Sequence, residues 1–279
     1  MLTLILRRFA TAIPTLFAVI LLSFLLMRFA PGGPFDGERP LDPATRAALI
    51  TAYGMDQPLP VQFTRYVGNL AQGDFGPSLV YRDFTVTQLV AKGLPVSLTL
   101  GALALLLALT LGVASGLAAA MKPGGRSDRS IGLIATLLTV LPSFVTAPAL
   151  VLVFALGLGW LPVSGWGEGA PRHLVLPVIA LALPAAGAIA KLTRAGLTEV
   201  LGQDHVRAAR ARGLSPLRTL TRHALRPALV PVASYVGPTA AALVIGAEVM
   251  SNICTAPALG EAPEPPRYPP ARVWFATGC

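Results

Sequence analysis

Charge is scarce in this sequence: Asp, Glu, Lys and Arg make up 13% of its 279 residues. An average soluble domain carries roughly 25%. A water-soluble fold of this length would lack the polar groups to cover its surface, so lipid must replace water over much of it. Cysteine is nearly absent as well. Cys254 and Cys279 stand at no metal-ligand spacing and are too few for a disulfide framework or a zinc site. His173, His205 and His223 have no acidic neighbours at triad or metal spacing, and no paired carboxylates stand out. Catalysis needs several convergent groups, so neither an enzyme nor a cofactor is expected. No Gly-x-x-x-x-Gly-Lys-Ser/Thr stretch occurs either, so the chain has no P-loop with which to bind ATP.

What is present is apolar. Hydrophobic residues make up 54% of the chain, and the mean hydropathy is +0.66. Phe9–Phe29, Pro95–Ala120, Ile131–Trp160 and Ala228–Met250 are each long enough, at roughly 20 helical residues, to cross about 30 Å of hydrocarbon. Leu174–Ala190 is shorter, and extends past Lys191 if that side chain snorkels. Arg28 and Glu248, each near an end, are the only charges inside these five stretches. Met1–Arg8 and the run after it could pass for a signal peptide. The run exceeds a usual h-region, and Ala30-Pro31-Gly32 is a poor cleavage context, so an uncleaved anchor is expected.

The formal net charge is +9, which by itself would suit a nucleic-acid partner. The distribution argues for topology instead. With the N-terminus in the cytoplasm, the inner segments hold thirteen Lys and Arg and the outer loops hold six. That asymmetry is the one that orients membrane proteins. No nucleic acid is expected as a partner.

The stretch 30–94 is the large polar block. Asp42-Pro43 reads as an N-cap and first-turn proline of a short helix through Tyr53. Phe63, Tyr66, Val67 and Leu70 recur at i, i+3, i+4, i+7, so a second amphipathic helix follows, and Gly73-Asp74-Phe75-Gly76 breaks it. Their apolar stripes suggest a small cap packed on something. Pro142 and Pro148 interrupt the third span, Pro177 and Pro184 the fourth, and Pro231 and Pro238 the fifth. Such breaks are tolerated where protein or a water-filled cavity surrounds the helix. Trp160 and Trp166 bracket a short outer turn, as interface aromatics do.

Residues 191–227 carry the most information. Glu199–Arg212 reads as a short helix ended by Gly213 as a left-handed C-cap. Ser215-Pro216 starts another, with Arg218, Arg222 and Arg226 along one face. Two capped helices around a glycine hinge make a bracket that charge-directed topology alone does not require.

Asp204-His205-Val206-Arg207-Ala208-Ala209-Arg210-Ala211-Arg212-Gly213-Leu214-Ser215, followed by Arg222-His223-Ala224-Leu225-Arg226, resembles the cytoplasmic loop of ABC importer permeases. The family's Glu-Ala-Ala, three residues, Gly pattern falls on Arg207, Ala208, Ala209 and Gly213, and the arginine looks like the peptide/nickel subfamily. Gly54-Met55-Asp56-Gln57-Pro58-Leu59 through Tyr66, then Gly73-Asp74-Phe75-Gly76-Pro77-Ser78, resembles the outer segment of the first permease of dipeptide and oligopeptide importers. Trp160-Leu161-Pro162-Val163-Ser164-Gly165-Trp166-Gly167 and Leu192-Thr193-Arg194 also match. The resemblance covers about residues 1 to 260. It implies an ATPase-docking loop made by Asp204, Arg207, Ala208, Ala209, Arg210, Arg212, Gly213 and Leu214. The implied partners are a second permease subunit, two ATP-binding-cassette ATPase subunits and a periplasmic solute-binding protein, in a bacterial inner membrane.

The expected fold is therefore all-α: a polytopic transmembrane helix bundle of five spans, the family's sixth missing, with a small helical periplasmic segment. Its parts are an N-terminal helix (1–29), the periplasmic segment (30–94), the permease core (95–250, with the docking loop 191–227) and a proline-rich tail (251–279). Beyond a faint Ala256-Pro257-Ala258-Leu259-Gly260 echo, the tail departs from the family and has no apolar run. A frameshift or truncation would account for it, and an inactive truncated permease is one alternative. Another is an ion-coupled secondary carrier, which usually holds ionisable residues in mid-membrane and shows internal repeats. No repeat is visible, and Glu248 is the one candidate. A non-transporting scaffold would leave the bracket unexplained.

Overall fold

The computed structural model describes residues 2–29, 56–76, 84–163 and 170–255. The helix expected from Asp42 to Tyr53, the Ser164–Gly167 turn with Trp166, and the tail from 256 onward lie outside the described residues. The chain divides into two compact units, Met1–Ala91 and Lys92–Cys279.

In the first unit, α1 (Leu2–Phe29) is an apolar helix that runs through Pro14. The amphipathic stripe read at 63–70 becomes α2 (Leu59–Ala71), whose first turn holds a proline, where no N–H is needed. Its partner is α1. Phe63 meets Phe17 and Phe24 edge-on, with centroids 5.6 and 5.3 Å apart, and Tyr66 stacks on Phe24 at 6.0 Å. Arg28, the one charge in the first span, donates to the Gln62 side chain and sits over the Phe24 ring. The chain then turns at Gly73 (φ +78°). Thr85 and Gln88 bond each other's backbone N–H reciprocally, at 3.1 and 3.2 Å. This capping box starts the next helix, α3 (Val86–Ala120).

The second unit is organised around one helix. Elements α4 (Arg126–Val140), α5 (Ser143–Leu150, continued by a π turn Val151–Gly157) and α6 (Pro171–Leu201) precede the bracket, and α10 (Val230–Thr255) follows it. Helix α6 stays continuous through Pro177 and Pro184, and half of its apolar stretch is buried. The interruption expected at these two prolines is thus corrected: both are accommodated inside one helix. On α3, Leu100, Ala104, Ala108, Gly112, Gly116 and Ala120 recur every fourth residue and are all buried. A Cβ on Gly112 would come 2.7 Å from Ile189, and one on Gly116 2.6 Å from the Ala190 carbonyl oxygen. Small residues at this spacing let two backbones touch where lipid offers no hydrophobic drive for association.

Among the described residues, four helices are long and apolar enough to cross a membrane: Leu6–Leu26 within α1, then α3, α6, and Val230–Ala247 within α10. The expected third span is broken. Helix α4 and the segment Val145–Gly157 meet at a bend of 111°, and they make a fifth crossing only if the pair counts as one. Pro142 causes the break: it forces Leu141 into an extended conformation (φ −73°, ψ 117°) and opens α5 as its N-cap.

Candidate functional site

The bracket is built by three short segments after α6: α7 (Asp204–Ala211), α8 (Pro216–Thr219) and α9 (Leu225–Ala228), with a π turn Leu220–Ala224 between the last two. The first helix expected from Glu199 to Arg212 is corrected. Helix α6 runs on to Leu201, the chain breaks at Gly202 and Gln203, and α7 begins at Asp204. Packing explains the break. Leu197 and Val200 are buried on α6, and in an unbroken helix Val206 would point about 120° away from Val200, at 100° per residue. The extended Gln203 (φ −76°, ψ 152°) swings Val206 back, and it joins Ala120, Leu197, Val200, Ala224 and Ala228 in one apolar cluster.

The far end of α7 is closed as read. Gly213 has φ +80°. Its N–H bonds the Arg210 carbonyl at 2.9 Å, and the Leu214 N–H reaches back to the Ala209 carbonyl at 3.3 Å. This pair of bonds satisfies carbonyls that a helix end leaves open, and a residue with a Cβ would pay roughly 1–2 kcal/mol for that backbone angle. Gly213→Ala should therefore speed amide exchange over 204–214 about tenfold in hydrogen-exchange mass spectrometry. Unchanged protection would mean the turn does not hold the helix.

The expected docking residues fall on two faces. Asp204, Arg207, Ala208, Arg210, Arg212 and Gly213 are exposed, and Leu214 is half-buried. Ala209 is only 2% exposed and, with Val206, faces the chain's own interior. Ala209 thus packs α7 onto the rest of the chain, and Ala208 is the exposed alanine of the two. Asp204 and Arg207 pair across one turn at 3.7 Å, an exposed pair worth little by itself. Arg218, Arg222 and Arg226 are all exposed, while Thr219 and Ala224 are buried.

Two features of this region escaped the reading of the sequence. Asp128, 5% exposed at the start of α4, accepts both Nε and Nη2 of Arg194 on α6, the latter at 2.8 Å. It also caps the Gly124 N–H at 2.8 Å. Its one signal was a lone acid among Lys122, Arg126 and Arg129. The second is the small-residue stripe of α3, which Gly112-x-x-x-Gly116 inside an apolar run could have revealed. Among the described residues, no cluster of His, Cys, Asp and Glu could hold a metal ion.

The family described as binding-protein-dependent transport system inner membrane component matches residues 108–267. The oligopeptide transport system permease protein OppB of Salmonella typhimurium is 47% identical, covering 94% of this chain and 85% of the relative. The di/tripeptide permease DppB of Pseudomonas aeruginosa is 37% identical (94% and 86% covered), and the dipeptide permease DppB of Bacillus subtilis 36% (91% and 82%). These relatives are transport permeases, not enzymes. With the family match spanning more than half its length and relatives this similar along nearly all of it, the chain belongs to the binding-protein-dependent transport system inner membrane components.

Proposed function

We propose that this chain is one of two membrane-spanning subunits of an ATP-driven peptide importer, with the bracket after α6 as the dock for its ATPase. The observation that carries the docking assignment is the two-sidedness of α7. Val206 and Ala209 fasten it to the bundle, while Asp204, Arg207, Ala208 and Arg210 are left exposed on a helix whose end is locked by Gly213. A helix so held can be pushed without yielding. The transport relatives are named for oligopeptides, dipeptides and tripeptides, which supports peptides as cargo. A periplasmic binding protein delivers the peptide, and closure of two ATPase subunits moves the brackets, so the bundle alternates between outward and inward openings by rigid-body motion.

The functional test is uptake of labelled trialanine into proteoliposomes holding this chain with its second permease, ATPases and binding protein. Uptake that needs both ATP and this chain supports the reading; uptake that persists without it sinks the proposal.

The N-terminus and the bracket face the cytoplasm in this reading, and α2 faces the periplasm, following the thirteen-to-six split of basic residues. In a background without Cys254 and Cys279, an impermeant maleimide added to intact spheroplasts should label a cysteine at the exposed Asn69. It should spare one at the exposed Thr221 until the membrane is opened. The opposite pattern would invert the topology.

A further inference from the structure

The ion pair between Asp128 and Arg194 stands at a junction. Arg194 lies ten residues before Asp204 on the helix that leads into the bracket, and Asp128 lies in the first turn of the helix that ends at the 111° break. Two further ties join the same pair of helices. A Cβ on Gly187 of α6 would come 2.6 Å from the Ala135 carbonyl of α4, so the backbones touch there. The Lys191 ammonium donates to Thr139 Oγ1 at 2.8 Å, two residues before Leu141. Arg194, Lys191 and Gly187 follow at helical spacing along one side of α6, as Asp128, Ala135 and Thr139 do along α4. The two helices are thereby clamped over most of the length of α4.

A surface ion pair would not justify more than this. Asp128, however, is nearly inaccessible, is gripped by two guanidinium nitrogens, and uses a carboxylate oxygen to hold the Gly124 turn. Two parallel bonds fix direction as well as distance. Within α4 and α6 it is also the only ion pair among the described residues.

We propose that Asp128 and Arg194 are positioning residues for transport: they form the rigid link that carries movement of the bracket into the broken third span. The link sets how much solute moves for each ATP consumed, not how fast ATP is consumed. This rests on the assignment of the bracket as the ATPase dock. Neither residue belongs to the exposed face of α7, so breaking the link leaves docking and hydrolysis in place. The ATPase would still close and push the bracket, but α4 would lag behind α6, and the break at Leu141–Pro142 would no longer follow.

The test compares wild type with Asp128→Asn, Arg194→Gln and the charge-retaining Arg194→Lys, each assembled with its partners in proteoliposomes. Asparagine keeps an acceptor for the Gly124 N–H, so the turn is retained while the charge is lost. Three quantities are read: ATPase co-purified per permease, ATP hydrolysis rate, and trialanine taken up per ATP. For Asp128→Asn and Arg194→Gln, uptake per ATP should fall about tenfold, the size of a typical coupling between two sites. Co-purification and hydrolysis should stay within about twofold, and Arg194→Lys, which keeps the charge but loses the two-pronged grip, should recover only part of the lost ratio. The double variant should be no worse than either single one, since both remove the same link. An unchanged ratio in both charge-removing variants overturns the inference, as does a parallel fall in co-purification, hydrolysis and uptake, which marks a purely structural pair. If wild type itself retains no ATPase, the docking assignment fails first and takes the inference with it.

Discussion

Gly116→Leu should lower the melting temperature of the purified permease by roughly 6–12 °C, taking about 3 kcal/mol of overpacking and 2–4 °C for each kcal/mol. The reason is what the new side chain meets. A Cβ at this position would lie 2.6 Å from the Ala190 carbonyl oxygen and 2.6 Å from Thr193 Cβ. Neither can rotate away, because one is backbone and the other is branched at the clash itself. The helices would have to separate along the whole contact, and Ala108, Gly112 and Ala120 would lose their packing with it. Gly132→Leu is the matched control. It too is an interior helical glycine, but a Cβ there has nothing within 4 Å, so its melting temperature should stay within about 2 °C of wild type or rise slightly, as a better helix former replaces glycine. Equal melting of both variants would mean that α3 and α6 are not in contact at Gly116.

Ala208→Trp should cut ATPase co-purification and uptake at least about thirtyfold while leaving the melting temperature of the isolated chain unchanged. A loss of that size is what a single residue at the centre of an interface commands, about 2 kcal/mol. The neighbouring Ala209→Trp should behave in the opposite way. Ala209 is 2% exposed and packs inside the chain, so indole there has no room. The bracket should come loose, with a lower melting temperature and faster amide exchange over 204–228. Under the proposed docking, the two adjacent alanines would separate the surface that meets the ATPase from its support. If Ala208→Trp retains its ATPase, the exposed side of α7 is not the dock.

The limits of the sequence are clearest at these same residues. Gly213 was legible because the left-handed backbone that ends a helix favours glycine, and this one follows an alanine-rich helical stretch. The stripe Phe63, Tyr66, Val67 and Leu70 announced an amphipathic helix, and its period needed no partner to be seen. Which helix it covers could not be read, since Phe17 and Phe24 look like any other apolar residues of a span. The break at Gly202 was invisible for a related reason. Helix-forming residues continue on both sides, and the turn is imposed by a cluster that draws on Ala120 and Ala224, remote in the chain. Asp128 and Arg194 stand 66 residues apart, beyond any local periodicity. At Pro142 the sequence announced a kink, but a proline carries no angle, and 111° separates a broken crossing from a merely bent one.

The pairing of α1 with α2 has a bearing on how the protein is made. Phe17, Phe24, Arg28, Gln62, Phe63 and Tyr66 find one another within the first 66 residues. These contacts can form as soon as that length of chain has left the ribosome and its first apolar segment has entered the bilayer, well before Gly112 or Ile189 has been synthesised. At about 5–20 residues per second, the second unit trails by seconds. The ring contacts of the first unit can therefore form early, whereas α6 meets α10, one of its main neighbours, only after residue 230 has been synthesised.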